Sequence, residues 1–270
     1  MISDSSPRAA DLPAAQPAVV DIGNSSIALG LWADGQVKQR RDFPVDQIQR
    51  FGEALKALGA ETTSGFLSGV AIASVVPELL ERVCGCVEDE LNLAPLIVGR
   101  QIPLPIELSV RRPETVGVDR ICCAAAAYDR RGEACVVVDF GTAITVDYVD
   151  DSGRFAGGAI LPGAAMQARA LHEYTAQLPH VETEKPDEVI GRDTAAAIQT
   201  GIYHGTSGAV RGIVEAYAAH LGRWPPVIAT GGDAKLISEA CDIFEVIVPD
   251  LCLIGVGVAY AKRLADAVEL

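Results

Sequence analysis

Val136–Asp147, VVVDFGTAITVD, decides the fold, because Val19–Leu29, VVDIGNSSIAL, carries the same pattern 118 positions earlier. Each copy runs apolar, apolar, Asp, any residue, Gly, then small residues, then a second apolar run. In the first copy, Ala18–Ile22 and Ile27–Trp32 are β-rich runs around Gly23-Asn24-Ser25-Ser26, which predicts a tight hairpin. The second copy predicts the same strand–turn–strand unit. Helical patterns follow both, so strands alternate with helices and the sheets are mostly parallel, with helices packed on them. The expectation is a duplicated α/β domain whose two hairpins face one another across a cleft.

Working outward, Val45–Leu58 places Ile48, Phe51, Leu55 and Leu58 at three- and four-residue spacing, which predicts a helix ending at Gly59. Gly69–Val76 is an unbroken apolar run, the pattern of a strand buried on both faces. Pro77 opens a helix through Leu91, since proline is tolerated in a first turn. Leu96–Val98 predicts a short strand, Pro103–Thr115 a loop, and Ile121–Tyr128 an alanine-rich helix. In the second half a strand pair ends at Gly157-Gly158, and Ile160–Gly163 leads into a helix. Asp193 caps a long helix from Thr194 to about Leu221. Glycines 201, 205, 208 and 212 recur inside it. Each costs about 1 kcal/mol against alanine, so close approach of another helix, between the halves or across a dimer axis, is expected to offset them. Val227–Thr230 predicts a strand, Gly231-Gly232-Asp233 a turn, Lys235–Ala240 a helix and Gly255–Val268 a closing helix. The domain reading is a flexible tail over 1–17, a first half over 18–116 and a second over 117–270.

With 22 Lys and Arg against 36 Asp and Glu, the 270-residue chain carries a formal charge of −14. Such a surface repels nucleic acid and anionic membranes, which argues against both as main partners. A phosphate-bearing ligand would need local neutralisation by backbone N–H groups, a few cations or a metal. The longest apolar stretch, Leu251–Ala261, falls short of the roughly 20 residues that cross a bilayer. Met1–Pro17 lacks a basic start and an apolar h-region, so it does not read as a signal peptide. Seven cysteines, odd in number and mostly within apolar patterns, argue against a disulfide framework or zinc site and for a reducing cytoplasm.

Four motifs carry chemistry. Asp21-Ile22-Gly23-Asn24-Ser25-Ser26 sets a carboxylate at a strand end before a turn of small residues, where backbone N–H groups can reach an anion. Beside phosphates that carboxylate becomes useful as a metal or water ligand for Mg²⁺; an Asx-turn hairpin with nothing bound is the plain alternative. Asp139-Phe140-Gly141-Thr142 repeats the carboxylate–glycine pair, and two such loops in one chain point to a polyphosphate. Gly117-Val118-Asp119-Arg120 places Arg120 against the dipole in a first helical turn. Asp119 would accept a hydroxyl proton and Arg120 hold a substrate oxygen, or they are a capping Asp and a solvated Arg. Thr230-Gly231-Gly232-Asp233-Ala234 offers paired glycines for an adenine or ribose, or is an ordinary loop. Walker A and GxGxxG signatures are missing, which excludes a P-loop kinase and a Rossmann fingerprint.

In order and spacing, DxGNS, GxDR, DxGTAxT and TGGDA resemble the type III pantothenate kinases, over residues 18–268. That resemblance implies the fold of the acetate/sugar kinase, Hsp70 and actin superfamily, a duplicated ribonuclease-H-like domain. It implies ATP-dependent phosphorylation of pantothenate, the first step of coenzyme A synthesis, in a cytoplasmic homodimer. Asp21, Ile22, Gly23, Asn24, Ser25 and Ser26 would then hold the ATP phosphates with Mg²⁺ near Asp21, and Thr142, Gly231 and Gly232 would touch the nucleotide. Gly117, Val118, Asp119, Arg120 and Thr194 would bind pantothenate, with Asp119 as catalytic base. Asp139 would ligate a monovalent cation, K⁺ or NH₄⁺. Ser25, Ala28 and Val110 depart from the family, where a threonine, a basic residue and a tyrosine are common, and Ser25 keeps the hydroxyl. Two other readings are a regulator that binds nucleotide without catalysis and a superfamily kinase acting on another hydroxylated acid or sugar.

Overall fold

The computed structural model describes residues 15–268, so residues 1–14 of the expected tail lie outside it. The first copy builds β1 (Ala18–Ile22) and β2 (Ser26–Ala33), an antiparallel pair closed by the Gly23 N–H donating to the Ser26 carbonyl at 3.0 Å. β3 (Gln36–Pro44) adds antiparallel to β2, while β4 (Val70–Ser74) and β5 (Leu96–Ile97) continue in parallel beyond β1. The order is β3-β2-β1-β4-β5. Strand β3 was not foreseen. Its QVKQRRDFP sequence is largely exposed and lacks apolar alternation. An edge strand of this polarity is how sheets avoid pairing with other chains.

Alternation sorts the first sheet's side chains. Val20, Ile22, Ile27, Leu29 and Leu31 share a core with Phe51, Leu55 and Leu58 of α1 (Ile48–Ala60) and with Leu79, Leu80, Val83 and Val87 of α2 (Pro77–Leu91). The helix starts at Ile48 rather than Val45 because β3 runs to Pro44. Asp21 and its partner Ala28 therefore occupy the opposite face, with Trp32 further along β2 on the same side.

The second copy repeats this topology. β7 (Cys135–Phe140) and β8 (Ala143–Val149) form the hairpin, and β9 (Arg154–Pro162) adds antiparallel to β8. β10 (Val227–Thr230) and β11 (Val246–Ile247) continue in parallel beyond β7. β6 (Glu107–Leu108) joins the outer edge of β9, giving β11-β10-β7-β8-β9-β6. Strands β6 and β11 are too short for a periodic signal, and the expected loop over Pro103–Thr115 also holds a 3₁₀ turn, Pro113–Thr115. The shared order makes the chain a duplicated ribonuclease-H-like α/β fold.

Val136, Val138, Phe140, Ile144 and Val146 pack against Tyr203, Val210 and Val214 of α5 (Thr194–Leu221) and Ile237 of α6 (Ala234–Ser238). Asp193 caps α5 as expected, its Oδ1 accepting from the Ala196 N–H at 2.9 Å. α3 (Val118–Arg131) supplies a run of buried cysteines and alanines, and α4 (Ala164–Glu173) follows β9. Among the described residues nothing lies within 4 Å of a Cβ built on Gly201, Gly205, Gly208 or Gly212, so none of the described helices packs closely there.

By packing, one unit takes the chain to Pro103 plus the stretch from Val256, and the other takes Leu104–Gly255. The sequence reading divides the chain between 116 and 117. α7 (Leu251–Val268) thus begins in the second unit, and its larger part belongs to the first, where a side chain at Gly257 would run into the Trp32 indole. No helix among the described residues is long and apolar enough to cross a membrane.

Candidate active site

The Gly117–Arg120 motif folds into the first turn of α3, with Gly117 as the capping residue. Asp119 is therefore not the cap. Its Oδ1 accepts from the N–H of Arg120 at 2.8 Å, and burial raises its pKa, against the pull of that hydrogen bond and of the Arg120 charge. A carboxylate so placed holds its proton more tightly than one in water and serves better as a general base.

Arg120 is not a solvated arginine either. Its side chain is only 15% exposed, and Nε donates to both carboxylate oxygens of Asp147 at 3.1 Å while Nη2 donates to Oδ1. The guanidinium carbon lies 5.4 Å from the centre of the Phe155 ring. This bidentate pairing explains a cation in a first helical turn, because Asp147 outweighs the dipole. Burial pushes the Asp147 pKa up, Arg120 and the Thr145 hydroxyl act against that, and Asp147 in turn holds Arg120 more firmly charged.

Asp147 was missed as a site residue, although it ends the quoted motif. The available signal was a carboxylate two residues after Thr145 in a strand flanked by Val146 and Val149, and period two puts both polar groups on one face. That face is the α3 side, since Val146 belongs to the α5 core. Asp147 sits opposite Gly158 on β9, where a Cβ would run into the Asp147 carboxylate. The strand expected to end at Gly157-Gly158 therefore continues to Pro162, and the glycine makes room for a buried charge.

Asp139 pairs in register with Thr145 on β8 and Thr230 on β10, so it shares the face of Thr145 and Asp147. Three segments meet around it. The Gly163 N–H at the start of α4 donates to the Thr142 carbonyl at 3.1 Å, and the Asp233 N–H donates to the Phe140 carbonyl at 3.2 Å. Gly231 has φ +94°, and a Cβ there would strike the Asp139 carboxylate and lie 2.6 Å from Phe140 backbone. The missing side chain at Gly231 thus makes room for Asp139. The open position is Gly232, with nothing within 4 Å of its Cβ site among the described residues. Burial raises the pKa of the half-buried Asp233. A carboxylate beside turn backbone offers oxygen donors alone, which fits a hard monovalent cation at Asp139.

In the first unit Asp21 holds the equivalent strand position, paired with Ala28 and Ala73, and Asn24, Ser25 and Ser26 form the exposed tip. One carboxylate there fits Mg²⁺, which keeps most of its water and binds through one or two carboxylates plus phosphate oxygens. Thr194 is exposed at the start of α5, and no hydrogen bond among the described residues joins it to Asp119 or Arg120. Ala28 is buried, and Val110 lies near Gly157, 3.7 Å from the site of its absent Cβ.

The model of the type III pantothenate kinase family matches residues 18–216. The chain belongs to that family. Membership makes it a kinase-type, ATP-using protein, and the matched span contains Asp21, Asp119, Arg120, Asp139, Asp147 and Thr194. Among solved structures, a Campylobacter jejuni protein described provisionally as a Baf family transcriptional activator is 20% identical, covering 92% of this chain and 99% of its own, with TM-score 0.60. The activator of 2-hydroxyisocaproyl-CoA dehydratase from Clostridium difficile, with bound ADPNP, is 13% identical over 94% and 98%, with TM-score 0.54. The ethanolamine utilization protein EutJ from Carboxydothermus hydrogenoformans is 18% identical over 92% and 90%, with TM-score 0.52. At these identities the likeness is one of fold.

Proposed function

We propose that the protein transfers the γ-phosphoryl group of ATP to the primary hydroxyl of pantothenate, giving 4′-phosphopantothenate and ADP and opening coenzyme A synthesis. The observation that carries this reading is Asp119, a desolvated carboxylate next to a fixed guanidinium within the span that matches the family. Asp119 takes the hydroxyl proton as the oxygen bonds to the γ-phosphorus, and the bond from that phosphorus to the β–γ bridging oxygen breaks. Arg120 orients the acceptor, with Gly117, Val118 and Thr194 completing its site. Residues 21–26 hold the phosphates, and Thr142, Gly231 and Gly232 the nucleotide. Mg²⁺ near Asp21 and K⁺ or NH₄⁺ at Asp139 would supply the positive charge that a −14 chain otherwise lacks.

Phosphoryl transfer rests on positioning and electrostatics rather than on covalent chemistry by the protein, so a few placed charges suffice. The protein would act in the cytoplasm as a homodimer. The exposed glycine face of α5 suits a partner copy, because no group among the described residues packs within 4 Å of those four positions. The test is coupled ADP release with pantothenate, Mg²⁺ and K⁺, repeated with Na⁺ for K⁺. The expected result is release that requires pantothenate and falls in Na⁺. Release indifferent to pantothenate would overturn the assignment of the acceptor.

A further inference from the structure

The polar groups on the α3 face of the second sheet lie in one row. Asp139 stands opposite Thr145 in the β7–β8 pair, Thr145 lies two residues before Asp147 on the same strand face and favours its ionised form, Asp147 grips Arg120, and Arg120 follows Asp119 in α3. Arg120 spends Nε and Nη2 on Asp147, while its Nη1 has no hydrogen-bond partner among the described residues. The Phe155 ring limits the guanidinium from another side. Asp147 is 1% exposed, so no ligand reaches it directly. A buried charge that water cannot reach, facing a glycine that makes room for it, is a costly arrangement if its only task is to fasten a helix to a strand.

We propose that Asp147 is a positioning residue for the acceptor: supported by Thr145, it locks the Arg120 guanidinium in one orientation, leaving Nη1 to bind an oxygen of the acceptor beside Asp119. The inference deepens the proposed reaction and rests on Asp119 and Arg120 serving its acceptor. A fixed donor spares the substrate the cost of ordering a long side chain, and a displacement of about 1 Å at such a group can lower rate by about a hundredfold. The ligand class is a small hydroxylated molecule with a carbonyl or carboxylate oxygen within reach of its nucleophilic hydroxyl.

Asp147→Asn keeps the shape and removes the charge. Its expected signature is a rise of about ten- to a hundredfold in KM for pantothenate, with KM for ATP within about twofold of the parent. Thr145→Val keeps the ion pair and should raise the pantothenate KM in the same direction by a smaller factor. An independent readout is the ¹⁵N signal of the Arg120 Nε–H in the ligand-free protein, identified by its loss in Arg120→Lys. It should be resolved and slowly exchanging in the parent chain, and averaged or lost in Asp147→Asn. Equal rises in both KM values, or an Arg120 signal unchanged in Asp147→Asn, would overturn the proposal. Thr145→Val guards against a variant that does not fold. The nitrogen signal needs no substrate, so it tests Asp147 even if pantothenate is not the acceptor, a failure that the parent chain's missing ADP release would reveal separately.

Discussion

The hairpins β1–β2 and β7–β8 share a fold and differ in what their return strands carry. Val19 faces Gly30 where Val137 faces Asp147, and Asp21 faces Ala28 where Asp139 faces Thr145. The turn accounts for the register, because three residues join β1 to β2 and two join β7 to β8. What covers each face differs as well. In the first unit that face meets the apolar helix α7, with Gly257 against Trp32, and small residues suit it. In the second it meets α3, whose Arg120 calls for a buried carboxylate. One duplicated frame thus sets Asp21 opposite an alanine in one copy and Asp139 in a polar row that leads to Asp119 in the other.

The comparison breaks most sharply at Asp119. Asp119→Asn should lower kcat by about 10²–10⁴, the usual worth of a general base, with nucleotide binding retained in a titration. Because burial raises the Asp119 pKa in the fold, its ionisation above the ordinary carboxylate range works against stability. The melting temperature of Asp119→Asn at neutral pH should therefore match or exceed that of the parent. A large fall would make Asp119 a structural group.

Next in size is Gly231→Ala. It forces a side chain into a +94° φ position and against Asp139, so a loss of about 1–3 kcal/mol is expected in chemical denaturation. Gly232→Ala, on the open position, should cost much less. Equal effects would show that the glycine is not there to accommodate Asp139.

Asp21→Asn tests the first copy. Loss of about 1.4 kcal/mol of ionic hydrogen bonding corresponds to about a tenfold rise in KM for ATP, with KM for pantothenate little changed. Parallel changes in both constants would erase the division of labour between the copies. The smallest effect is on pH dependence. The acid limb of kcat/KM should lie above the ordinary aspartate range, since activity needs Asp119 deprotonated and its pKa is raised. A limb at or below that range would contradict the desolvated base.

The elements legible in the sequence were those whose pattern is local. The β1–β2 and β7–β8 hairpins, the Pro77 start of α2 and the Asp193 cap of α5 each follow from a few adjacent residues. Strand β3 escaped because exposure removes its alternation, and β6 and β11 because two residues have no period. At the site, Asp119 and Arg120 were legible as a motif, but their states were not. Whether Arg120 is solvated depends on Asp147, 27 positions away and brought near only by α3 packing on β8. Gly231 and Gly158 read as loop or strand-ending glycines until the carboxylates they accommodate come into view.

The most direct test of the central claim follows the transferred group itself. ATP labelled in its γ-phosphate is incubated with pantothenate and either the parent chain or Asp119→Asn, and the products are separated. The account predicts labelled 4′-phosphopantothenate from the parent and almost none from the variant, at equal nucleotide occupancy. Equal labelling by both, or label released only as inorganic phosphate, would contradict it.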